Sequence, residues 1–453
     1  MGRKKKEQTS MPIVNPNAAG IDVGSRSHFV AVGQRADDVR EFGVYSDDLQ
    51  ALCLWLKEKG VTAVALESTG TYWQNLFVAL MDHGLNPVLV SGKFTKNVQG
   101  KKTDVQDCQY IQKMHTMGLL PASYQPSSEV EQLRQYTRHR QNLIERGADC
   151  IKKMQKAMRQ MNIRLDIAIS DVTGQSGKAI VLAIIEGKTD AKYLAGLANY
   201  KIQKSKEELE RALTGIWKAE HVMELKHSFE LYEFYHQKVA ECDAAIEALL
   251  EKQIEDNERK DGEARAKMER TTRKKQNKNR PKMDIERLSF QLSGGVDLSQ
   301  IDGVSGQTLL SIISEIGTEV DKFPTAKHFA SWLRLAPNNR KTGGKVMSSH
   351  TPKHKNRLSL ALQRAANVIG NNLKVGALHQ FFVRIRIKKG YMEAVVATAR
   401  KLAVIIWNML SKKEQYQPTE DTAYTEKLRT QTIKNMQRKL KRLNISPEEL
   451  IFN

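Results

Sequence analysis

The sequence is poor in cysteine. It has four in 453 residues, Cys53, Cys108, Cys150 and Cys242, and no two of them form a C-x-x-C pair. Their wide spacing argues against a structural zinc site and against a disulfide framework. Scattered single cysteines are typical of a reducing compartment, so we expect a cytoplasmic protein of bacterial type, associated with the nucleoid.

Long apolar runs are also missing from the sequence. The apolar stretch 179–185 is far too short to cross a bilayer. Residues 2–6 form a short basic arm without the apolar segment of a secretion signal. We therefore expect no membrane among the partners of this chain.

Positive charge is abundant. The chain has 72 Lys and Arg against 51 Asp and Glu, a formal net charge of +21, and the excess is spread over several segments. Each Lys or Arg that meets a phosphate releases a condensed counterion, so a balance of this size favours polyanionic partners. With 40% hydrophobic residues the chain can also bury real cores. Nucleic acid is the expected partner.

The first part of the chain, residues 1–126, alternates between strand and helix patterns. Apolar strand-like segments occur near residues 18–22, 28–33, 39–45, 61–68 and 87–91, and helical spacing occurs at 49–59 and 72–83. The order βββαβαβα, with acidic residues at strand ends, is the plan of the RNase H-like fold. We therefore predict an α/β domain of this type.

Four acidic residues of this domain predict a divalent-metal site. Asp22 and Glu67 each end a predicted strand, while Asp104 and Asp107 are three residues apart and lie on one face at the start of a helix. Carboxylate oxygens are the ligands that Mg²⁺ prefers. Four carboxylates in one place would repel one another without a cation, so together they predict bound metal.

The rest of the chain is predicted to be helical. Residues 127–292 open with the capping box Ser128-x-x-Glu131, and a second box, Ser205-x-x-Glu208, is predicted to open an even longer helix. The 3-4 apolar spacing from Val222 to Leu250 fits either a coiled coil or helical hairpin, or a one-sided core helix. The stretch 256–282 is a boundary or a solvated helix whose basic end is expected to contact phosphate.

A compact helical domain is predicted over residues 293–415, followed by a basic tail over 416–453. Residues 301–306 (IDGVSG) lead into an amphipathic helix and resemble a helix-hairpin-helix element, in which a glycine-rich turn brings backbone N–H groups close to a phosphate. Further helices are predicted at 323–332, 356–370 and 392–410. A polar loop is predicted between them, over residues 337–352.

Several of these motifs resemble the DEDD-type insertion-sequence transposases, also called bridge recombinases. The N-terminal signatures are 20–24 (GIDVG), 66–72 (LESTGTY) and 102–107 (KTDVQD), and the C-terminal ones are 301–317, 323–324 (FP), 335–337 (LAP) and 342–345 (TGGK). The resemblance covers both ends of the chain in the right order. The middle of the chain is longer than in compact members of that family.

The resemblance implies a RuvC-like first domain that binds Mg²⁺ (or Mn²⁺) on Asp22, Glu67, Asp104 and Asp107. It also implies a second domain whose hydroxyl attacks a DNA phosphate, with a covalent phosphoprotein link and strand exchange through a Holliday junction. The implied partners are donor and target DNA, a structured non-coding guide RNA, and further copies of this chain in a homodimer that assembles to a tetramer. The two domains of one active site would come from different protomers.

The chain departs from that family at the expected nucleophile. The family has Ser-Gly at the start of the loop, whereas this sequence has Thr342. Three interpretations are open: Thr342 itself attacks, Ser348 or Ser349 has taken over the role, or the chain is inactive. A hydroxyl is a weak nucleophile that an adjacent divalent cation can activate.

Cationic residues flank the same loop and are expected to bind nucleic-acid phosphates. They are Arg340, Lys341, Lys345, Lys353, Lys355 and Arg357.

Two other functions compete with that of an RNA-guided transposase. One is a Holliday-junction resolvase or metal-dependent nuclease of RuvC type, which would use the carboxylates and water and leave no covalent adduct. The other is a non-catalytic nucleic-acid-binding protein with a degenerate nuclease fold, against which the intact set of four acids argues.

Overall fold

The computed structural model describes residues 12–95, 103–261, 268, 278–353, 356–373, 375–418 and 421–443. The chain divides into two compact units, residues 1–125 and 126–453. A mixed α/β first unit followed by a mainly helical remainder confirms the predicted fold class in outline. The second unit contains both the predicted helical middle and the predicted C-terminal domain, and the division between those two stays a prediction.

The first unit contains five strands and three helices, close to the predicted order. Their bounds are β1 Ala18–Val23, β2 His28–Ala31, β3 Val39–Phe42, α1 Ser46–Glu58, β4 Ala63–Glu67, α2 Trp73–Asp82, β5 Asn86–Val90 and α3 Asp104–Thr116.

The sheet has the strand order β3-β2-β1-β4-β5. The first three strands pair antiparallel, as two hairpins do, and β1, β4 and β5 pair parallel, with Ile21 opposite Leu66 and Leu66 opposite Leu89. Parallel strands need crossover helices, and α1 and α2 are the segments that make them. β1 is central, so its residues are buried on both faces of the sheet.

The two faces of the sheet carry different residues. Ala19 and Ile21 pack in one large core with Leu52 of α1 and Leu76 of α2. On the other face, Ala65 and Val90 pack against Ile111 of α3. Because side chains alternate along a strand, Asp22 lies on the same face as Gly20, and Glu67 lies on the same face as Ala65. Both acids are therefore on the face that α3 covers.

The second unit consists of helices and one short hairpin. Their bounds are α4 Ser128–Gln160, α5 Leu165–Ala168, α6 Gln175–Ile185, α7 Ala191–Gly196, α8 Lys206–Leu213, α9 Ala219–Asp261, α10 Ile285–Leu292, α11 Gly306–Ile316, α12 Ala326–Trp332, β6 Arg340–Thr342, β7 Lys345–Ser348, α13 Arg357–Asn371, α14 Ala377–Lys389, α15 Tyr391–Lys412 and α16 Asp421–Leu443.

The capping box at Ser205 is present, but the prediction of a very long helix from it was wrong. Ser205 and Glu208 cap α8, which ends at Leu213, and the long helix α9 begins only at Ala219. Between them the Arg164 N–H donates to Ala212 O and the Ile216 N–H donates to Met161 O, so this connection is tied to the end of α4.

Helices α4 and α9 pack along one another and form the centre of the second unit. Met154 and Met158 of α4 share a core with Leu225 and Phe229 of α9 and with the short helices between them. The apolar spacing predicted along α9 therefore faces a core, and a coiled coil with another chain stays a prediction.

A buried ion pair joins these two helices. The Arg140 guanidinium lies 2.5 Å (Nε to Oδ1) and 3.2 Å (Nη2 to Oδ2) from the Asp243 carboxylate, and both side chains are almost fully buried. The same guanidinium donates to Asn279 O at 3.2 Å, and the Lys282 N–H donates to Asp243 Oδ2 at 3.3 Å. The pair thus connects α4, α9 and the segment 278–282.

The basic stretch predicted to contact phosphate is mostly outside the described residues. Residues 278–282, at the described end of this stretch, contact other parts of the second unit. The Lys278 ammonium lies 3.3 Å from Asp171 Oδ2. For Lys278 the structure thus shows a carboxylate partner, which the sequence did not predict.

The glycine-rich turn before α11 is packed against protein. A side chain at Gly303, whose φ is +77°, would lie 2.7 Å from Ala365 O, and one at Gly306 would lie 2.9 Å from Ile285 Cγ2. Close packing on α13 and α10 accounts for both glycines. A phosphate contact at this turn stays a prediction.

Helix α14 was missed by the sequence analysis. The helix is only weakly amphipathic, with Phe382 buried and basic residues in its last turn. Gly376 precedes it and Gly390 follows it, and both have positive φ. Helix α15 is long and apolar enough to cross a membrane by length and composition, but it packs against α12, α13 and α14 as a core helix does.

We predict that Asp243→Ala lowers the free energy of unfolding by about 3–5 kcal/mol, because it leaves the Arg140 guanidinium buried without a counter-charge. Urea denaturation followed by circular dichroism measures this loss. Asp149→Ala is the matched control. It removes the exposed ion-pair partner of Lys152 on α4 and should change the free energy of unfolding little. Equal losses in the two variants would contradict the role of the buried pair.

Candidate active site

The position of α3 on β1 decides where the predicted acids lie. Three contacts run along the pair in order: Val14 and Asn15 N–H donate to Thr116 O, the Gln112 amide donates to Ala18 O, and Cys108 O faces Gly20. Helix α3 therefore runs antiparallel to β1, and Gly20 faces the backbone of both Cys108 and Gln112.

The direction of α3 bears on the position of the acids. The antiparallel course of α3 brings its first turn, which contains Asp104 and Asp107, towards the end of β1, where Asp22 lies. Asp107 lies one turn before Ile111, which packs on Ala65. The same face of α3 therefore directs Asp107 towards the end of β4, where Glu67 lies.

Gly20 makes this close approach possible. A Cβ atom at Gly20 would lie only 2.1 Å from Gln112 N and 2.5 Å from Cys108 O. Any side chain there would push α3 away from the sheet, so glycine is required by contact and not by a special backbone angle. The first turn of α3 is capped by the Thr103 hydroxyl, which accepts from Gln106 N–H at 3.3 Å.

The Cys108 thiol lies among these carboxylates. Burial raises its pKa to about 12, and the negative charges of Asp22 and Asp107 contribute to the increase. Both carboxylates are thus within electrostatic reach of one sulfur atom. The thiol donates to Val105 O at 3.1 Å.

Glu67 is positioned by two hydroxyl groups. The buried Thr95 hydroxyl donates to Glu67 Oε2 in a short hydrogen bond, and the Thr69 hydroxyl lies 3.4 Å from Glu67 Oε1. Thr95 also lies 3.2 Å from Gly92 O, which places it in the turn after β5. Sequence reasoning missed Thr95, because a threonine after a strand carries no signal of this contact.

Asp22 and Glu67 lie near the ends of neighbouring strands, and Asp104 and Asp107 lie in the first turn of α3, but the described side chains do not form a closed metal cage. Asp22, Glu67 and Asp107 are half-buried and Asp104 is exposed. Among the described residues, no three His, Cys, Asp or Glu side chains lie as close together as metal ligands do. The donor set is nevertheless all carboxylate, which suits a hard divalent cation, and residues 96–102 before α3 lie outside the described part of the chain.

The loop predicted to carry the nucleophile is a β-hairpin. Thr342 pairs with Lys345 across the turn Gly343-Gly344, and both glycines have positive φ, as a two-residue hairpin turn requires. Thr342 therefore lies beside the tip of the hairpin and is exposed, whereas Ser348 pairs with Arg340 further back and is half-buried. Asn338 N–H donates to His350 O and closes the base.

The predicted phosphate-binding residues lie on and beside this hairpin. The side chains of Lys341, Lys345, Lys353 and Arg357 are exposed, and Arg357 is the first residue of α13. Arg340 is in β6, and the surroundings of its side chain are not described. Lys355 lies outside the described residues. The apolar side chains of Val346 and Met347 in the hairpin are also exposed to solvent.

Two family models match the chain. One, for DEDD-type transposases of the IS110 group, matches residues 19–163. The other, for transposases of the IS116/IS110/IS902 family, matches residues 297–380.

The chain belongs to the IS110 family of transposases.

The transposase is thus a DNA-cleaving and DNA-rejoining enzyme, and its DEDD-type domain indicates dependence on a divalent metal. The first match includes all four acids, and the second includes the hairpin. Residues 164–296 lie between the two matches. A comparison with curated proteins finds no match.

We predict that Thr95→Val raises the Mn²⁺ concentration for half-maximal DNA cleavage by about 10- to 100-fold, the usual effect of removing a group that orients a metal ligand. Thr95→Ser keeps the hydroxyl and should restore the metal dependence. Thr62→Val, an exposed threonine next to β4, is the control. A lower melting temperature with unchanged metal dependence would show that Thr95 only supports the fold.

Proposed function

We propose that this transposase cuts DNA by attack of a protein hydroxyl, with Mg²⁺ (or Mn²⁺) bound by Asp22, Glu67, Asp104 and Asp107. The observation that supports the proposal is the antiparallel packing of α3 on β1, which brings the first turn of α3 towards the strand ends that carry Asp22 and Glu67. Two strand ends and one helix start then supply four oxygen ligands.

The residues divide the chemistry between the two units. When bound, a divalent cation neutralises the phosphate and lowers the pKa of a nearby hydroxyl. Glu67 is oriented by Thr95, and the neutral Cys108 thiol fills the space beneath Asp22 and Asp107 without adding charge. The hydroxyl is carried on the hairpin of the second unit.

Thr342 is the proposed nucleophile. It is exposed beside the tip of the hairpin, next to two glycines that let the backbone approach a phosphate closely. Its oxygen would form a bond to phosphorus while the bond from phosphorus to the 3′ oxygen breaks. The hydroxyl proton passes to solvent, and the 3′ oxygen leaves as a 3′-OH. Ser348 and Ser349 are the alternatives, of which Ser348 is the more covered.

The partners are proposed from the resemblance to bridge recombinases. We expect donor and target DNA, a structured guide RNA that pairs with both, and a homodimer that assembles to a tetramer. The high positive charge supports nucleic-acid partners, and Lys341, Lys345, Lys353 and Arg357 supply exposed cations near the proposed nucleophile. The cytoplasmic, nucleoid-associated location also stays a proposal.

We predict that Thr342→Ala lowers covalent protein–DNA adduct formation on a suicide DNA substrate by about 10³-fold or more, as removal of a nucleophile does. Denaturing gels and mass spectrometry of the adduct measure this. Thr342→Ser should keep adduct formation, and Ser348→Ala is the matched control on the same hairpin. Asp22→Asn should abolish cleavage both in the protein with Thr342 and in the Thr342→Ser variant.

Other outcomes would change the proposal in defined ways. An adduct that survives in Thr342→Ala and disappears in Ser348→Ala would move the nucleophile to Ser348. Metal-dependent cleavage without any adduct would favour attack by water, as in a resolvase. Cleavage that survives Asp22→Asn would contradict the role of the acids.

A further inference from the structure

A cavity lies between α4, α9 and the segment 278–282 in the second unit. Its volume is about 110 Å³, and it is partly open to solvent. One wall is apolar and aromatic, with Ile144 and Ile151 of α4 and Tyr232 and Tyr235 of α9. Helix α9 and the segment 278–282 lie outside the residues matched by the two family models.

The opposite wall of the cavity is cationic. Lys278, Arg280 and Lys282 line it, and Asp243, which also lines the cavity, is occupied by the buried Arg140. Lys278 and Arg280 have carboxylate partners, Asp171 and Glu286. In the described part of the chain no carboxylate pairs with the Lys282 ammonium. The positive potential extends to His236, whose pKa is lowered mainly by burial and further by Lys178, Lys282 and Lys278.

Tyr232 supplies a polar group without a partner. Its side chain is 4% exposed and lines the cavity, yet its hydroxyl makes no hydrogen bond with the described residues. The ammonium groups of Lys178 and Lys278 each lie 5.6 Å from the centre of its ring. A buried hydroxyl without a partner is unfavourable, so the cavity offers an unused hydrogen-bonding group beside an aromatic face and a free cation.

We propose that this cavity binds one nucleotide of a single-stranded nucleic acid, with its base against Tyr235 and hydrogen-bonded to the Tyr232 hydroxyl, and its phosphate at Lys282. Bases stack on aromatic side chains irrespective of sequence, and phosphates pair with Lys. The volume is below the 300–1,000 Å³ or so of ordinary ligand pockets, which suits a single base and excludes a duplex. The bound strand is one that the proposed function handles, either guide RNA or displaced DNA.

Photo-crosslinking with the full-length protein tests this site. The probes are a 12-nucleotide RNA and a DNA of the same sequence, each with one 5-iodouracil base that reacts with a stacked aromatic ring. The crosslink should map to Tyr235. Lys282→Gln should lower its yield severalfold and Lys226→Gln should not, since Lys226 is an exposed lysine of α9 outside the cavity.

Tyr232→Phe separates binding from stability. Removal of a buried hydroxyl without a partner should leave the melting temperature of the free protein unchanged or raise it, while affinity for the strand falls by about two- to tenfold through loss of one hydrogen bond. A lower melting temperature with unchanged affinity would show that the hydroxyl serves the fold and would overturn the proposal.

The two probes also identify the source of the nucleotide. A crosslink with RNA alone assigns the cavity to the guide strand, one with DNA alone assigns it to the substrate strand, and either result supports the site. No crosslink at Tyr235 with either probe, or one that Lys282→Gln does not weaken, would overturn it. Failure of the proposed cleavage mechanism is distinguishable, because Asp22→Asn should leave the crosslink unchanged.

Discussion

The direct contact of α3 with β1 at Gly20 is the constraint on which the proposed active site depends. The helix lies so close that its backbone at Cys108 and Gln112 occupies the space of a side chain on the strand. Because this contact sets the register, the acidic first turn of α3 is carried to the end of β1 and β4. The proposed metal site would thus combine two acids from strand ends with two from a distant part of the sequence.

The second unit depends on charged groups that hold its helices together. The Arg140–Asp243 pair joins α4 to α9. The Glu315 carboxylate of α11 forms ion pairs with two guanidinium groups of α4, Arg138 at 2.9 Å and Arg134 at 3.4 Å. Buried charges are costly unless paired, so these contacts specify one arrangement of the long helices relative to α11. Helix α11 in turn packs on α13, which follows the hairpin with Thr342. The helical pair is thereby connected through α11 to α13, the helix that follows the hairpin.

Much of the first unit could be predicted from sequence, because its strands are apolar and end in acids such as Asp22 and Glu67. The capping hydroxyl at Ser205 was also visible, but the end of its helix at Leu213 was not, since that end is set by backbone contacts with Met161 and Arg164. Thr95 could not be found because its role depends on a hydrogen bond across the fold. The hairpin at Thr342 was taken for a loop because its strands are short and polar, although its Gly-Gly turn was the available signal.

Crystals of the protein with Mn²⁺ test the central claim most directly, since the anomalous scattering of manganese locates the ion independently of any activity. The proposed site predicts an anomalous peak within coordination distance of the carboxylates of Asp22, Glu67, Asp104 and Asp107, at the end of the sheet that the first turn of α3 covers. A well-occupied Mn²⁺ peak elsewhere in the chain, with these carboxylates unliganded, would contradict it.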